Sequence, residues 1–150
     1  MIGRWAAALF CLVSTAGCAA RPAVDEVVLW RSGRAQRLGE ERSAAVMEWL
    51  ERVRRRRLDR LKLAVMPHDV DRLRGGGLAL DLRFAEPRLF PGTDLSPQVE
   101  RLLVPLGPGV EQEFGEGAVV LFWGLDGCIG SGPFFLVDPE LLREARQLLD

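Results

Sequence analysis

The chain has one histidine, His68, and it stands beside two carboxylates in "HDVD", with Asp69 and Asp71. A histidine among acids invites a metal. Zinc, however, asks for more His or Cys ligands, and a calcium loop for a longer run of oxygen donors with a glycine at its sixth place. Neither pattern is completed, so the stretch reads as a solvated turn whose Asp residues cap a short helical turn. A second candidate is "LDGCIGSGPFF", residues 125–135. Gly124, Gly127, Gly130 and Gly132 free the backbone there, and successive N–H groups could form an anion nest. The spacing fits neither G-x-x-x-x-G-K-[ST] nor G-x-G-x-x-G. The residues two before and two after Ser131 are Ile129 and Pro133, not glycines, so it is no nucleophile elbow. The stretch reads as a hairpin turn between two apolar strands, with Gly127, Cys128 and Gly130 as candidates for contact with a partner. Catalysis by the Cys128 thiol would need the fold to bring His68 to it.

A third candidate is the run Arg54, Arg55, Arg56 and Arg57. Four consecutive positions cover every face of a helix, so at least one of these side chains lies near the apolar side and buries its stem. The cluster could meet lipid headgroups or an acidic partner. It is equally the pattern of a solvated helix end whose cations complement the dipole. The whole chain carries 20 basic and 21 acidic residues, a net charge of −1. Nucleic acid is not expected as a partner of so balanced a chain. The balance hides an asymmetry: residues 30–62 hold 11 basic and 5 acidic residues, and residues 63–150 hold 7 and 14.

The N-terminus carries the most specific signal. One charge, Arg4, precedes an apolar stretch from residue 5 to residue 13, followed by Ser14, Thr15, Ala16, Gly17 and Cys18. Charge, apolar segment and small residues, in that order, make a secretory signal. The uncharged run of about 16 residues is short of the roughly 20 that cross a hydrocarbon core. "TAGC" resembles the lipobox of bacterial lipoproteins. That resemblance covers about the first 18 residues and implies that the Cys18 thiol receives a diacylglyceryl group. It also implies cleavage just before Cys18 and acylation of the new amino group. Ala16 and Gly17 are the small pair, while Thr15 stands where an aliphatic residue is usual. Ala19, where an Asp would retain such a protein in the inner membrane, points to the periplasmic face of an outer membrane. The alternatives are a secretory signal cut after Ala20, with Cys18 unmodified, and an uncleaved anchor.

The expected organisation is a signal peptide over residues 1–17, a lipidated tether over 18–26 and a single globular domain over 27–150, long enough for a core of its own. With Cys11 in the signal and Cys18 acylated, Cys128 has no partner thiol in its own mature chain. "VVLWR" reads as a strand, and residues 40–57 as a helix with the apolar stripe Val46, Trp49, Leu50 and Val53. "LALDLRF" alternates strictly, which predicts Leu78, Leu80, Leu82 and Phe84 on a core and Ala79, Asp81 and Arg83 in solvent. Residues 85–98 read as a loop, "RLLVPL" and "AVVLFWG" as strands, "PFFLV" as a short last strand. "DPELLREARQLLD" has the start signals of a helix, with Asp138 as N-cap and Pro139 at the first turn. Strands in succession favour an antiparallel sheet. The expected fold is therefore α+β: a small antiparallel sheet of four to five strands, one long helix after the first strand, and a C-terminal helix.

No catalytic constellation emerges, and no cofactor or metal is expected. The reading is a membrane-tethered lipoprotein of the cell envelope that binds a protein or envelope component rather than turning over a substrate. A small envelope hydrolase or thiol-dependent enzyme using Cys128, and an inhibitor or immunity-type protein, are the alternatives.

Overall fold

The computed structural model describes residues 22, 24–90, 98–125, 128–130 and 132–150. The elements are β1 (Glu26–Arg31), β2 (Arg34–Arg37), α1 (Glu40–Arg54), β3 (Asp59–Arg60), α2 (Pro67–Gly75), β4 (Leu78–Leu89), β5 (Gln98–Pro105), α3 (Pro108–Phe114), β6 (Ala118–Leu125), β7 (Cys128–Ile129), β8 (Phe134–Val137) and α4 (Pro139–Gln147). The strands join in one sheet of order β2-β1-β4-β5-β6-β8-β3, with β7 paired to β6 beside that path. All neighbouring strands run antiparallel.

This architecture overturns the expected four- to five-stranded sheet with two helices. The described residues form eight strands and four helices, and α1 follows a β1–β2 hairpin rather than a lone strand. The elements that escaped the sequence reading are short or carry no periodic signal. All four residues of β2 are exposed, so it shows no alternation. β3 and β7 are two residues each. α2 and α3 lie in glycine-rich stretches that read as turns, and each starts on a proline that supplies a helical φ without needing an N–H partner. The stretch after Phe84 is not a loop throughout: β4 runs on to Leu89, with a register shift against β5 between Arg83 and Arg88.

The sheet is covered on both faces. On one lies the larger core, in which Val27, Leu29, Leu80, Leu82, Phe84, Leu102, Val104, Val119, Leu121 and Phe134 meet Val46, Trp49, Leu50 and Val53 of α1 and Leu141, Leu142 and Ala145 of α4. On the other lies a smaller core of Ala79, Leu103, Ala118, Val120 and Phe122 under Leu73 of α2 and Val110 of α3, with Leu61, Leu63 and Val65 packed against it. Two covered faces explain why residues 118–122 form an unbroken apolar run: each side chain has a core to enter, whichever way the pleat turns it. The same fact corrects the prediction for β4. Asp81 does not face solvent but is fully buried on the second face.

The two helices of the larger core are tied together at Trp49, which is fully buried and donates its indole N–H to the Leu141 carbonyl at 2.9 Å. Asp138 caps α4 by accepting from the N–H groups of Glu140 and Leu141, at 3.2 and 3.0 Å. α1 starts after Gly39, without a side-chain cap. Ser43, of a residue type that often caps helices, lies inside the helix and donates to the Leu38 carbonyl.

Register fixes a cross-section of the sheet through Glu26, Arg83, Arg101 and Gly124, which pair in turn across β1, β4, β5 and β6. The chain enters the fold at this end of the sheet. Arg31, Leu78 and Pro105 mark the opposite end.

Replacing Trp49 by Phe removes one buried hydrogen bond and part of a ring. The loss expected in urea unfolding is about 1–3 kcal/mol, with the far-ultraviolet circular dichroism of the folded state unchanged.

Candidate functional site

Among the described residues, three arginines converge on the buried carboxylate of Asp81. Arg101 on β5 grips its carboxylate with two hydrogen bonds, from Nε to Oδ1 at 2.8 Å and from Nη2 to Oδ2 at 2.7 Å. Oδ2 also accepts from Arg83 of β4 and Arg74 of α2, each at 3.3 Å. Asp81 is 0% exposed, and the Arg101 side chain 5%. Arg74 lies over the ring of Trp30, 5.0 Å from its centroid, so a cation–π contact adds to the ion pair. Three side-chain N–H groups here are buried without a partner: Nε1 of Trp30 and the Nε atoms of Arg74 and Arg83.

Burial alone would push the Asp81 carboxyl up. The hydrogen bonds and charge of Arg101, joined by those of Arg83, outweigh it and hold the group below the usual carboxylate range. For Arg74, burial lowers the guanidinium pKa and Asp81 opposes that shift. The cluster is arranged to hold one carboxylate in its ionised form. Among the described residues no group of three or more His, Cys, Asp or Glu side chains is placed to hold a metal ion. The chemistry of the cluster is that of a structural brace between α2 and the middle of the sheet.

A second arrangement runs through the larger core toward the surface. Arg54 lies over Phe90 at 5.3 Å, Phe90 stacks on Phe134 at 5.3 Å, Phe134 on Trp123 at 5.9 Å, and Arg60 covers Trp123 at 5.3 Å. Two cations thus close a stack of three rings drawn from β6, β8 and the residue that follows β4. Gly132 makes the last contact feasible. Its φ is +76°, and a Cβ there would stand 2.8 Å from Arg60 Nε. Its carbonyl accepts from Trp123 Nε1 at 2.8 Å.

The residues singled out from the sequence fall in separate places. Arg54 is the one of the four arginines that turns toward the apolar side. Besides covering Phe90, it donates to the Leu89 carbonyl and to both oxygens of Glu51. Arg55 and Arg57 are exposed, and Arg56 reaches Asp138 at 3.5 Å. Arg55 and Arg56 line a groove of about 400 Å³ between α1 and α4, together with Arg52, Asp138, Glu140 and Glu144 over a floor of Leu141. Arg52 and Glu144 form an ion pair across it. Cys128 opens β7, where it pairs with Leu125 of β6, and Gly130 donates its N–H to the Trp123 carbonyl at 2.9 Å. Gly127 and Cys18 lie outside the described residues. His68 and Asp69 occupy the first turn of α2. Asp69 accepts from the Met66 N–H at 2.9 Å, and His68 is exposed.

A second groove, of about 360 Å³, separates α2 from α3, with Leu73, Leu78, Val110 and Phe114 among its walls. Neither groove nor the Asp81 cluster was legible beforehand. The signal for the cluster was Asp81 itself, an acid in the middle of an apolar strand, with Arg101 heading the next one. Only the pairing of β4 with β5 sets them within reach. No family model, curated protein or solved structure matches this chain.

Replacing Asp81 by Asn leaves the three guanidinium groups without their carboxylate, and urea unfolding at neutral pH is expected to show a loss of about 3–5 kcal/mol. Because the folded carboxyl titrates below its unfolded value, its stabilisation is complete above about pH 4 and is lost as the pH falls further. Acid titration of the wild type should therefore show a stability drop below about pH 4 that is steeper than the variant's, which keeps only the contributions of other carboxyls such as Glu111.

Proposed function

We propose that this protein is a lipid-anchored domain of the bacterial cell envelope that acts by binding a protein partner. The observation that carries the anchor is the stretch around Cys18, in which a short apolar segment ends in Ala16 and Gly17 directly before the cysteine. Two or three acyl chains on that residue make a stable attachment where a single chain is marginal. The fold begins at β1 only a few residues later, so the tether is short. Among the described residues no helix is long and apolar enough to cross a membrane.

The groove between α1 and α4 supports a binding role. It is open, and it sets Arg52, Arg55 and Arg56 against Asp138, Glu140 and Glu144, with Leu141 beneath. Alternating charge over an apolar floor suits an extended protein segment that carries both signs, because charge complementarity sets register and rejects wrong partners. Arg55 belongs to the arginine run and has an exposed side chain ready to make such a contact.

Cells fed a fatty-acid analogue should incorporate it into the wild type and not into Cys18→Ala, and the variant should lose the Cys18-linked lipid mass from its tryptic peptides. Label on both or on neither removes the anchor. A photo-crosslinking residue at position 55 should give a discrete protein adduct in cells, whereas one at Arg34, exposed on the outer strand of the sheet, should not. Equal labelling from both sites removes the groove as the contact surface.

A further inference from the structure

The tether has a further consequence for how the domain sits on the membrane. Val24 is the first apolar side chain described before β1, and it is the sixth residue after Cys18. A fully extended chain covers at most about 20 Å over that distance. A domain of this length is roughly 35 Å across. An acylated Cys18 therefore holds the entry end of the sheet close to the bilayer, and the opposite end, with Arg31, Pro105 and α3, cannot come down to it.

The entry end has a surface suited to that position. Four large apolar side chains among the described residues are exposed, and two of them belong here: Val24 at 61% and Leu89 at 54%. Val24 and Asp25 stand beside residues 85–88 in a shallow depression. Asp25 holds the end of β4 by accepting from the Ala85 N–H at 2.8 Å and by pairing with Arg88. Arg88 lies over Phe84 at 5.4 Å and keeps about a third of its side chain exposed. Arg60, exposed over Trp123, stands near the same end on the far side of the sheet. Glu86 is exposed as well and opposes an anionic surface, so apolar contact rather than charge leads.

We propose that this end of the sheet is a bilayer-contact face, with Val24 and Leu89 entering the headgroup boundary and Arg60 and Arg88 meeting lipid phosphates at its rim. The inference rests on acylation at Cys18. The anchor then does more than tether: it selects one orientation of the domain.

Hydrogen exchange tests this on the full acylated protein. Exchange in vesicles of phosphatidylethanolamine and phosphatidylglycerol is compared with exchange in detergent micelles. Amides of residues 24–26 and 85–89 should slow in vesicles by roughly fivefold, the factor expected from further burial of about half a leucine side chain. Those of α3 should not change. Leu89→Glu should abolish the slowing while keeping the micelle pattern of the wild type, which shows that it folds. Equal exchange in vesicles and micelles, or slowing at α3 instead, overturns the contact face and leaves the anchor standing. Absence of lipid mass on the Cys18 peptide overturns both, and that outcome is read separately in the same spectra.

Discussion

The carboxylate of Asp81 is the constraint around which the second layer is built. A charge taken out of water costs several kcal/mol unless it is paired and hydrogen-bonded. Arg101 supplies the pairing from the neighbouring strand, Arg83 from the same strand, and Arg74 from a helix on the covering layer. The register of β4 against β5 and the docking of α2 are tied to that requirement. A slip of one residue would turn Asp81 toward the larger core, beside Leu102 and Val104 of β5 and away from Arg101, and would carry Leu80 and Leu82 out of that core. The apolar contacts on both faces supply most of the stabilisation, but they would tolerate several registers, and the charge cluster does not.

The larger core works on a different principle. Trp49, Leu50 and Val53 of α1 form a stripe that fits against the sheet, and α4 completes the layer. The ring stack from Phe90 to Trp123 then carries the core outward to two arginines at the surface. Arg54 shows how a charged residue in an apolar stripe is accommodated: its stem and guanidinium lie on a ring while its N–H groups reach Glu51 and a carbonyl. This leaves Arg55 and Arg56 for the groove, so one arginine run divides between packing and surface roles.

The anchor and the domain address different questions. Cys18 and its small neighbours give the proposed location, and the domain gives the proposed contacts: one groove of mixed charge between α1 and α4, and one apolar end at the tether. The two surfaces adjoin at the end of α1, where Arg54, next in sequence to the groove residue Arg55, donates to the Leu89 carbonyl.

Much of the local structure was legible from residues alone. The alternation from Leu78 to Phe84, the unbroken run from residue 118, the stripe of α1 and the Asp138-Pro139-Glu140 start of α4 are set by side-chain period and capping chemistry, which act within a few residues. The size of the sheet was not legible, because β2, β3 and β7 exist only as partners of other strands and have no pattern of their own. Nor was the fate of Asp81. Alternation in β4 says which residues share a face but not whether a second layer covers it. That was decided by α2, α3 and residues 61–65 coming to rest on a face that a smaller sheet would have left to water. Local sequence determined the periods. Tertiary packing decided the layers, because burial is a property of what arrives from elsewhere in the chain.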